Sequence, residues 1–221
     1  MSMLSFIPSD LLEKYEFQDF EHAAEILHNS HPEEWNDIME ALKDFQISKS
    51  EIALAGGNKS QIPKKFDSIL FPKGWKEVRI TADLLIKKGE RYSRSGSQGF
   101  KPDHVEELQV KGYIDGHNID FVKGNVAFDL EWNSKDQTFD RDLLAMRNYF
   151  DARIIDVGVI LTRSEELNQV FDLLGNDVKK KYGASTTWMG KLTPRLQARR
   201  NGGCPVLAIG IRPKCVIDAG F

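Results

Sequence analysis

Residues 118–132 read NIDFVKGNVAFDLEW. Apolar residues lie on both sides of the Lys-Gly-Asn segment at 123–125, and turns accept Gly and Asn at positive φ. The pattern predicts a β-hairpin. On its second arm the apolar positions are even-numbered, so alternation places Asp129 and Glu131 together on the opposite face. Asp120, on the first arm, completes a candidate cluster of three acids.

Carboxylates held close together repel one another, and a divalent cation offsets that repulsion. Mg²⁺ prefers hard oxygen ligands, and it commonly takes one or two carboxylates together with water and phosphate oxygens. The three acids are therefore candidate metal ligands. The alternative is that Asp129 and Glu131 are solvated on the outer face of a strand, since a short Asp-x-Glu motif often matches by chance.

Asp120 followed by Asp129-Leu-Glu131 resembles the core of the PD-(D/E)xK nucleases, and in particular the restriction endonucleases of the BglII and BstYI type. In those enzymes an Asp on one strand is followed nine residues later by Glu-x-Gln on the next. Further segments are similar to BstYI in the same order, at residues 74–77, 120–123, 155–159 and 205–211. The resemblance covers most of the chain from about residue 74 onward.

Two positions depart from the pattern of this family. The family's Glu is Asp129 here and its Gln is Glu131, an acid similar to the Glu that BamHI has in place of the usual Lys. The resemblance implies that Asp120, Asp129 and Glu131 are catalytic and that they bind metal together with the backbone carbonyl of Leu130. It implies Mg²⁺ as the cofactor, with Mn²⁺ able to substitute. Glu131 would either ligate the metal or take a proton from the attacking water.

The chain has 221 residues, of which 41% are hydrophobic, enough for one α/β domain with a single large core. We predict a restriction-endonuclease-like mixed β-sheet core flanked by helices on both faces. This single domain would span residues 1–221, with N-terminal helices and a loop at 1–62, a catalytic core at 74–162 and a basic DNA-contacting loop at 178–203. Cys204 and Cys215 lack metal-site spacing and are predicted to be free thiols. No apolar run is long enough to span a bilayer, and a cytoplasmic protein of a bacterium or archaeon is expected.

The formal net charge of −3 does not itself indicate a nucleic-acid partner, but the distribution of charge does. Acids dominate from Ser9 to Glu51, whereas there is no Asp or Glu between Val178 and Ile217, where Lys and Arg are frequent. This asymmetry predicts a basic face for a polyanion. The alternative is a basic surface loop with Trp188 in the core. The predicted DNA contacts are Asn58, Lys59, Lys135, Ser185, Thr186, Thr187, Lys191, Arg195 and Arg199.

Periodicity predicts several further elements. Short helices are expected at residues 20–27 and 32–45, and the apolar stripe of the second would pack on the sheet or, alternatively, form part of a dimer interface. Residues 75–86 and 154–161 are predicted strands, with a turn at 87–89. Residues 91–101 are predicted to be an exposed loop rather than a domain boundary. In the predicted helix at 139–150, Asp142 is assigned to the polar face. Residues 183–203 show no clear periodicity.

The function that these observations favour is Mg²⁺-dependent, sequence-specific hydrolysis of double-stranded DNA by a type II restriction endonuclease. Symmetric cutting of a short palindrome would require a two-fold homodimer. One alternative is a repair or structure-specific nuclease of the same fold. The other is a catalytically inactive DNA-binding protein with a degenerate acidic cluster.

Overall fold

The computed structural model describes residues 5–54, 61–90 and 104–221. Contacts divide the chain into two compact units, one formed by residues 1–78 with 119–221 and the other by residues 79–118. The predicted DNA contacts Asn58 and Lys59, and the predicted loop at 91–101, lie outside the described residues.

The helices, numbered in chain order, are α1 Ser9–Lys14, α2 Ala23–Ser30, α3 Pro32–Asp44, α4 Lys49–Ala53, α5 Gln61–Leu70, α6 Thr138–Asp151, α7 Asn168–Leu174, α8 Asn176–Lys181 and α9 Met189–Gln197. The strands are β1 Tyr15–Phe20, β2 Lys76–Arg79, β3 Ala82–Glu90, β4 His104–Ile114, β5 Asn118–Lys123, β6 Val126–Leu130, β7 Val157–Arg163 and β8 Val206–Ile211.

Six strands form a mixed sheet in the order β1-β8-β7-β6-β5-β2. β6, β7 and β8 run parallel, whereas β1 is antiparallel to β8 and β5 is antiparallel to β6. All residues of the three parallel strands are buried, as expected for strands covered on both faces. The carboxyl ends of β6 and β7 therefore meet at one edge of the sheet.

Helices cover both faces of this sheet. On one face, side chains of α1–α5, α7 and α8 form a single apolar cluster with Phe128, Val159, Ile209 and their neighbours. α6 and α9 lie on the other face, against β7 and β8. Glycine permits the close approach of α6, because a Cβ on Gly158 would lie 2.5 Å from Sδ of Met146. The predicted α/β class, with helices on both faces of a mixed sheet, is confirmed.

The predicted hairpin is also confirmed. β5 and β6 pair with Phe121 opposite Phe128 and Lys123 opposite Val126, and Gly124 has a positive φ of 52° in the turn between them. The apolar stripe of α3 is buried, so its packing within the protein's own core is confirmed as well. Cys204 and Cys215 are free, as predicted, and both are buried.

Other predictions of local structure were wrong. Residues 15–20 form β1, and α2 follows it only from Ala23. The predicted strand at 75–86 is divided between β2 and β3, and residues 87–89 lie within β3 rather than in a turn. The segment at 183–203, predicted as a loop, contains α9, whose Gly190 and Pro194 obscure the helical pattern.

The smaller unit contains a two-stranded antiparallel sheet in which Ile86 of β3 lies opposite Leu108 of β4. These strands flank the segment at 91–101, so the material on its two sides does belong to one sheet, as predicted. This sheet is separate from the six-stranded one.

Candidate active site

The acids of the hairpin lie where β5 and β6 stop pairing through their backbones. Beyond the pair of Phe121 and Phe128, the two strands are joined by hydrogen bonds between a backbone N–H and a carboxylate rather than by backbone–backbone hydrogen bonds. The N–H of Asp120 donates to Oδ1 of Asp129 at 2.9 Å, and the N–H of Leu130 donates to Oδ2 of Asp120 at 3.1 Å. Each carboxylate is thus fixed by the backbone of the other strand.

Glu131 follows directly after β6 and is held by β7. Its N–H donates to the carbonyl of Leu161 at 2.9 Å, and its own carbonyl accepts from Oγ1 of Thr162 at 2.7 Å. Glu131 is half-buried, and its side chain forms a hydrogen bond with the side chain of Ser134. The position of Glu131 therefore depends on the end of β7 as well as on its own hairpin.

A fourth acid, Asp142 of α6, belongs to the cluster. Its side chain is 1% exposed, and its charge acts on both Asp129 and Glu131. The prediction that Asp142 lies on the polar face of its helix is therefore wrong. The spacing of residues in the sequence could have shown that Asp142 is buried. Asp142 follows the apolar Phe139 by three residues and precedes the apolar Met146 by four. Residues at these intervals share one face of a helix.

The environment strongly disfavours ionisation of these acids. Burial, followed by the charges of Asp142 and Asp120, raises the pKa of Asp129 well above its usual range. Burial, followed by the charge of Asp142, raises the pKa of Glu131 to about 8. Asp129 is only 3% exposed, so the alternative that it is a solvated acid on an outer face is wrong.

Oxygens of Asp129 and Glu131 remain available to a ligand. Oδ2 of Asp129 and Oε2 of Glu131 are buried without a hydrogen-bond partner in the described structure. Buried polar atoms normally have partners, and hard oxygen donors among crowded acids fit a divalent cation. Among residues 5–54, 61–90 and 104–221, no three His, Cys, Asp or Glu side chains already form a metal-binding group. The donor set fits a cation through its unpaired oxygens rather than through a preformed cage.

Comparison with known protein families identifies the family to which this chain belongs. The family described as restriction endonuclease BglII/BglIII matches residues 15–211, most of the chain. The chain belongs to this family. It is therefore a restriction endonuclease, a hydrolase that cleaves DNA at specific sites, and its family generally uses a divalent metal. No curated protein matches the chain.

The fold brings two predicted DNA-contacting segments of this endonuclease together. Lys135 and Thr186 form an antiparallel bridge, and the N–H of Asp136 donates to the carbonyl of Ser185 at 3.0 Å. Lys135 and Ser185 are exposed. Since residue 135 lies four positions after Glu131, this paired segment directly adjoins the acidic cluster in the chain.

The side chains of the two threonines are less accessible. Oγ1 of Thr186 donates to the carbonyl of Gly183 at 2.7 Å and accepts from Nη2 of Arg163 at 2.5 Å. Thr187 is fully buried, which does not fit the predicted contact of its side chain with DNA. Its hydroxyl has no hydrogen-bond partner in the described structure.

The predicted basic residues are paired with acids from other elements. Arg195 is 15% exposed and binds Asp140 through Nε and Nη2, at 3.0 Å and 3.1 Å. Nζ of Lys191 lies 3.7 Å from Oδ2 of Asp136. Arg199 is exposed and lies 3.1 Å from Glu21. Acids distant in sequence therefore lie beside the residues that were predicted to form a basic face.

A second ion-pair network, centred on Lys123 beside the turn, connects the hairpin to α3. Nζ of Lys123 donates to Asp37 of α3 at 2.8 Å and to Glu33 at 2.6 Å. Asp37 also accepts from Nε1 of Trp75 at 3.0 Å. Lys123 is thus committed to α3 and anchors the strand that carries Asp120.

No helix in the described parts of the chain combines the length and the apolar character needed to cross a membrane.

Proposed function

We propose that this endonuclease is a Mg²⁺-dependent type II enzyme that hydrolyses phosphodiester bonds at a short palindromic site in double-stranded DNA. The observation that supports this most directly is the burial of Asp129 beside Asp120, Glu131 and Asp142, with oxygens of Asp129 and Glu131 left unpaired. Four acids gathered at one sheet edge are costly unless a cation offsets their repulsion. Because its substrate is cellular or invading DNA, we propose a cytoplasmic location.

Asp120, Asp129 and Glu131 would hold the metal, with the Leu130 carbonyl as a further proposed ligand. When bound, a divalent cation supplies polarisation of the scissile phosphate and lowers the pKa of water. Oδ1 of Asp129 and Oδ2 of Asp120 each accept a backbone N–H, so both carboxylates are oriented before any ligand arrives. Such fixed groups need little rearrangement during the reaction.

Glu131 has two candidate roles, as a ligand or as the group that accepts a proton from the attacking water. Its pKa of about 8 in the absence of a cation lies close to neutrality, where a general base is most effective. The hydrogen bond from Ser134 and the contacts of its backbone with β7 restrict its orientation. Both roles require the ionised carboxylate.

DNA would contact Lys135 and Ser185 at the exposed end of the paired segment, and Lys191, Arg195 and Arg199 near α9. We also retain Asn58 and Lys59 as proposed contacts. Phosphate oxygens are the expected partners of the cationic side chains, and the hydroxyl of Ser185 can contact either phosphate or a base edge. Cutting both strands at a palindrome would require a homodimer in which each subunit reads one half-site.

The test is digestion of a fully sequenced plasmid with the purified protein, with Mg²⁺, with Mn²⁺ and with a chelator. Discrete fragments that all end at one palindrome are expected with either metal, and no cleavage is expected with the chelator. Smearing, or nicking only at lesions or branches, would favour a repair or structure-specific nuclease. Binding without cleavage under every divalent cation would indicate a DNA-binding protein. Sedimentation of the protein alone would test the homodimer.

A further inference from the structure

Arg163, the last residue of β7, is a buried cation on the face of the sheet opposite the acidic cluster. Its side chain is 1% exposed, Nε donates to the carbonyl of Trp132 at 2.8 Å and Nη2 donates to Thr186. The guanidinium carbon lies 5.4 Å from the ring centroid of Phe171 and 5.1 Å from that of Tyr182. Two of its five N–H groups are thus used by the protein.

No carboxylate in the described residues lies within ion-pairing distance of Arg163. Arg195, Arg199 and Arg212, by contrast, each have a carboxylate within ion-pairing distance. A buried charge without a counter-charge is costly, and aromatic faces offset only part of that cost. Burial accordingly lowers the pKa of Arg163 to about 10. The position calls for an anion that the protein itself does not supply.

A cavity of about 310 Å³ opens onto this guanidinium. Phe171 and Tyr182 line it together with Trp188, while Lys179 and Asp172 lie at its edge. The volume is at the lower end of the range for small-molecule sites. Trp188 is only half-buried. Its ring packs directly over residue 190, which must be glycine because a Cβ on that residue would overlap the ring. The cavity thus combines donors for an anion with an aromatic surface.

We propose that this cavity binds one nucleotide, with its phosphate on Arg163 and Lys179 and its base against Trp188. Arginine donates to phosphate in a planar fork, and bases stack on aromatic side chains irrespective of sequence. The nucleotide can be a free mononucleotide or the phosphorylated end of a DNA strand, since both present the same chemistry. The proposal does not depend on the metal chemistry of the acidic cluster.

Lys179 and Asp172 form an ion pair at the edge of the cavity, so substitutions of the two residues should change nucleotide affinity in opposite directions. Their side chains are exposed and Nζ lies 2.8 Å from Oδ1. A phosphate would compete with Asp172 for Lys179 and would also be repelled by Asp172. Removing the lysine charge should therefore weaken binding, whereas removing the aspartate charge should strengthen it.

The experiment is calorimetric titration of the full chain, without divalent cation, using dAMP, deoxyadenosine, inorganic phosphate and a 5′-phosphorylated trinucleotide. dAMP should bind more tightly than either of its two parts. Lys179→Gln should weaken binding about two- to fivefold and Asp172→Asn should strengthen it by a similar factor, the scale of an exposed charge pair. Trp188→Leu should weaken binding about tenfold, the scale of one stacked base.

Matched controls are Lys180→Gln and Asp177→Asn, which change exposed charges of the same type on α8 without touching the cavity lining. Both should bind dAMP as the wild type does. Absence of dAMP binding at millimolar concentration, or equal effects of Lys179→Gln and Lys180→Gln, would overturn the proposal. Equal affinity for phosphate and dAMP would overturn its nucleotide part. Stronger binding of the trinucleotide than of dAMP would identify the end of a DNA strand as the ligand. Stronger binding of dAMP than of the trinucleotide would identify a free nucleotide as the ligand.

Discussion

Raising the pH from 5 to 8 without a divalent cation is expected to destabilise the protein through Glu131. Burial and the charge of Asp142 raise the pKa of Glu131 from 4.5 to about 8 in the folded protein. Over that interval the folded protein retains a proton that the unfolded chain has released. The free energy of unfolding therefore falls as the pH rises through this window. Below about pH 4.5 the carboxyl is protonated in both states, and Glu131 no longer lowers the stability.

The magnitude follows from the difference between the two pKa values. At about 1.4 kcal/mol for each tenfold change in proton affinity, the loss approaches an upper limit on the order of 5 kcal/mol at pH 8. That is a large part of the stability of an ordinary domain. A cation bound by the acids favours the ionised form, so it should reverse the loss.

The assay is urea unfolding, followed by circular dichroism, at half-unit pH steps with chelator and with Ca²⁺. Glu131→Gln removes the titrating group and keeps its shape, so the difference between wild type and variant reports Glu131 together with its effect on the neighbouring Asp129. Glu165→Gln, at an exposed position, is the matched control and should follow the wild type. Parallel profiles for wild type and Glu131→Gln between pH 5 and 8 would refute the reasoning.

Four further perturbations test other parts of the structure. Asp120→Ala should abolish cleavage while leaving DNA binding intact or tighter, as measured by plasmid digestion and gel shift, and cleavage at the wild-type rate would remove Asp120 from the site. Arg195→Ala should lower the slope of log affinity against log salt by about one if the contact is to phosphate. Asp140→Asn, which removes the carboxylate that Arg195 and Arg200 share, should tighten non-specific binding at low salt, and an unchanged affinity would mean that these ion pairs only join α6 to α9 and the residues after it. Asp37→Ala should destabilise the protein by about 3 kcal/mol in urea unfolding, because it leaves Lys123 without its buried partner, and a loss below about 1 kcal/mol would show that the network contributes little.

Local patterns in the sequence were sufficient for the hairpin and its acids. Alternation along β6 depends only on neighbouring residues, so Asp129 and Glu131 could be assigned to one face, and the glycine at 124 indicated the turn. The stripe of α3 could be predicted for the same reason. The family resemblance then related Asp120 to the pair.

Long-range pairing explains what could not be predicted. β1 acquires its strand structure from β8, some 190 residues later in the chain, and nothing local distinguishes it from a short helix. The acids that pair with Lys191 and Arg195 are Asp136, just before α6, and Asp140, in its first turn, so an acid-free stretch of sequence did not produce an acid-free surface. Asp142 was assigned to solvent because charged residues are rarely buried. Functional sites are where that rule most often fails.

The placement of β8 between β1 and β7 has a consequence for biosynthesis. A growing polypeptide that has not yet reached residue 211 already contains all four acids, but it lacks the strand that joins β1 to the rest of the sheet. The six-stranded sheet, and with it the frame that positions the acids, is therefore expected to be complete only after translation has passed residue 211.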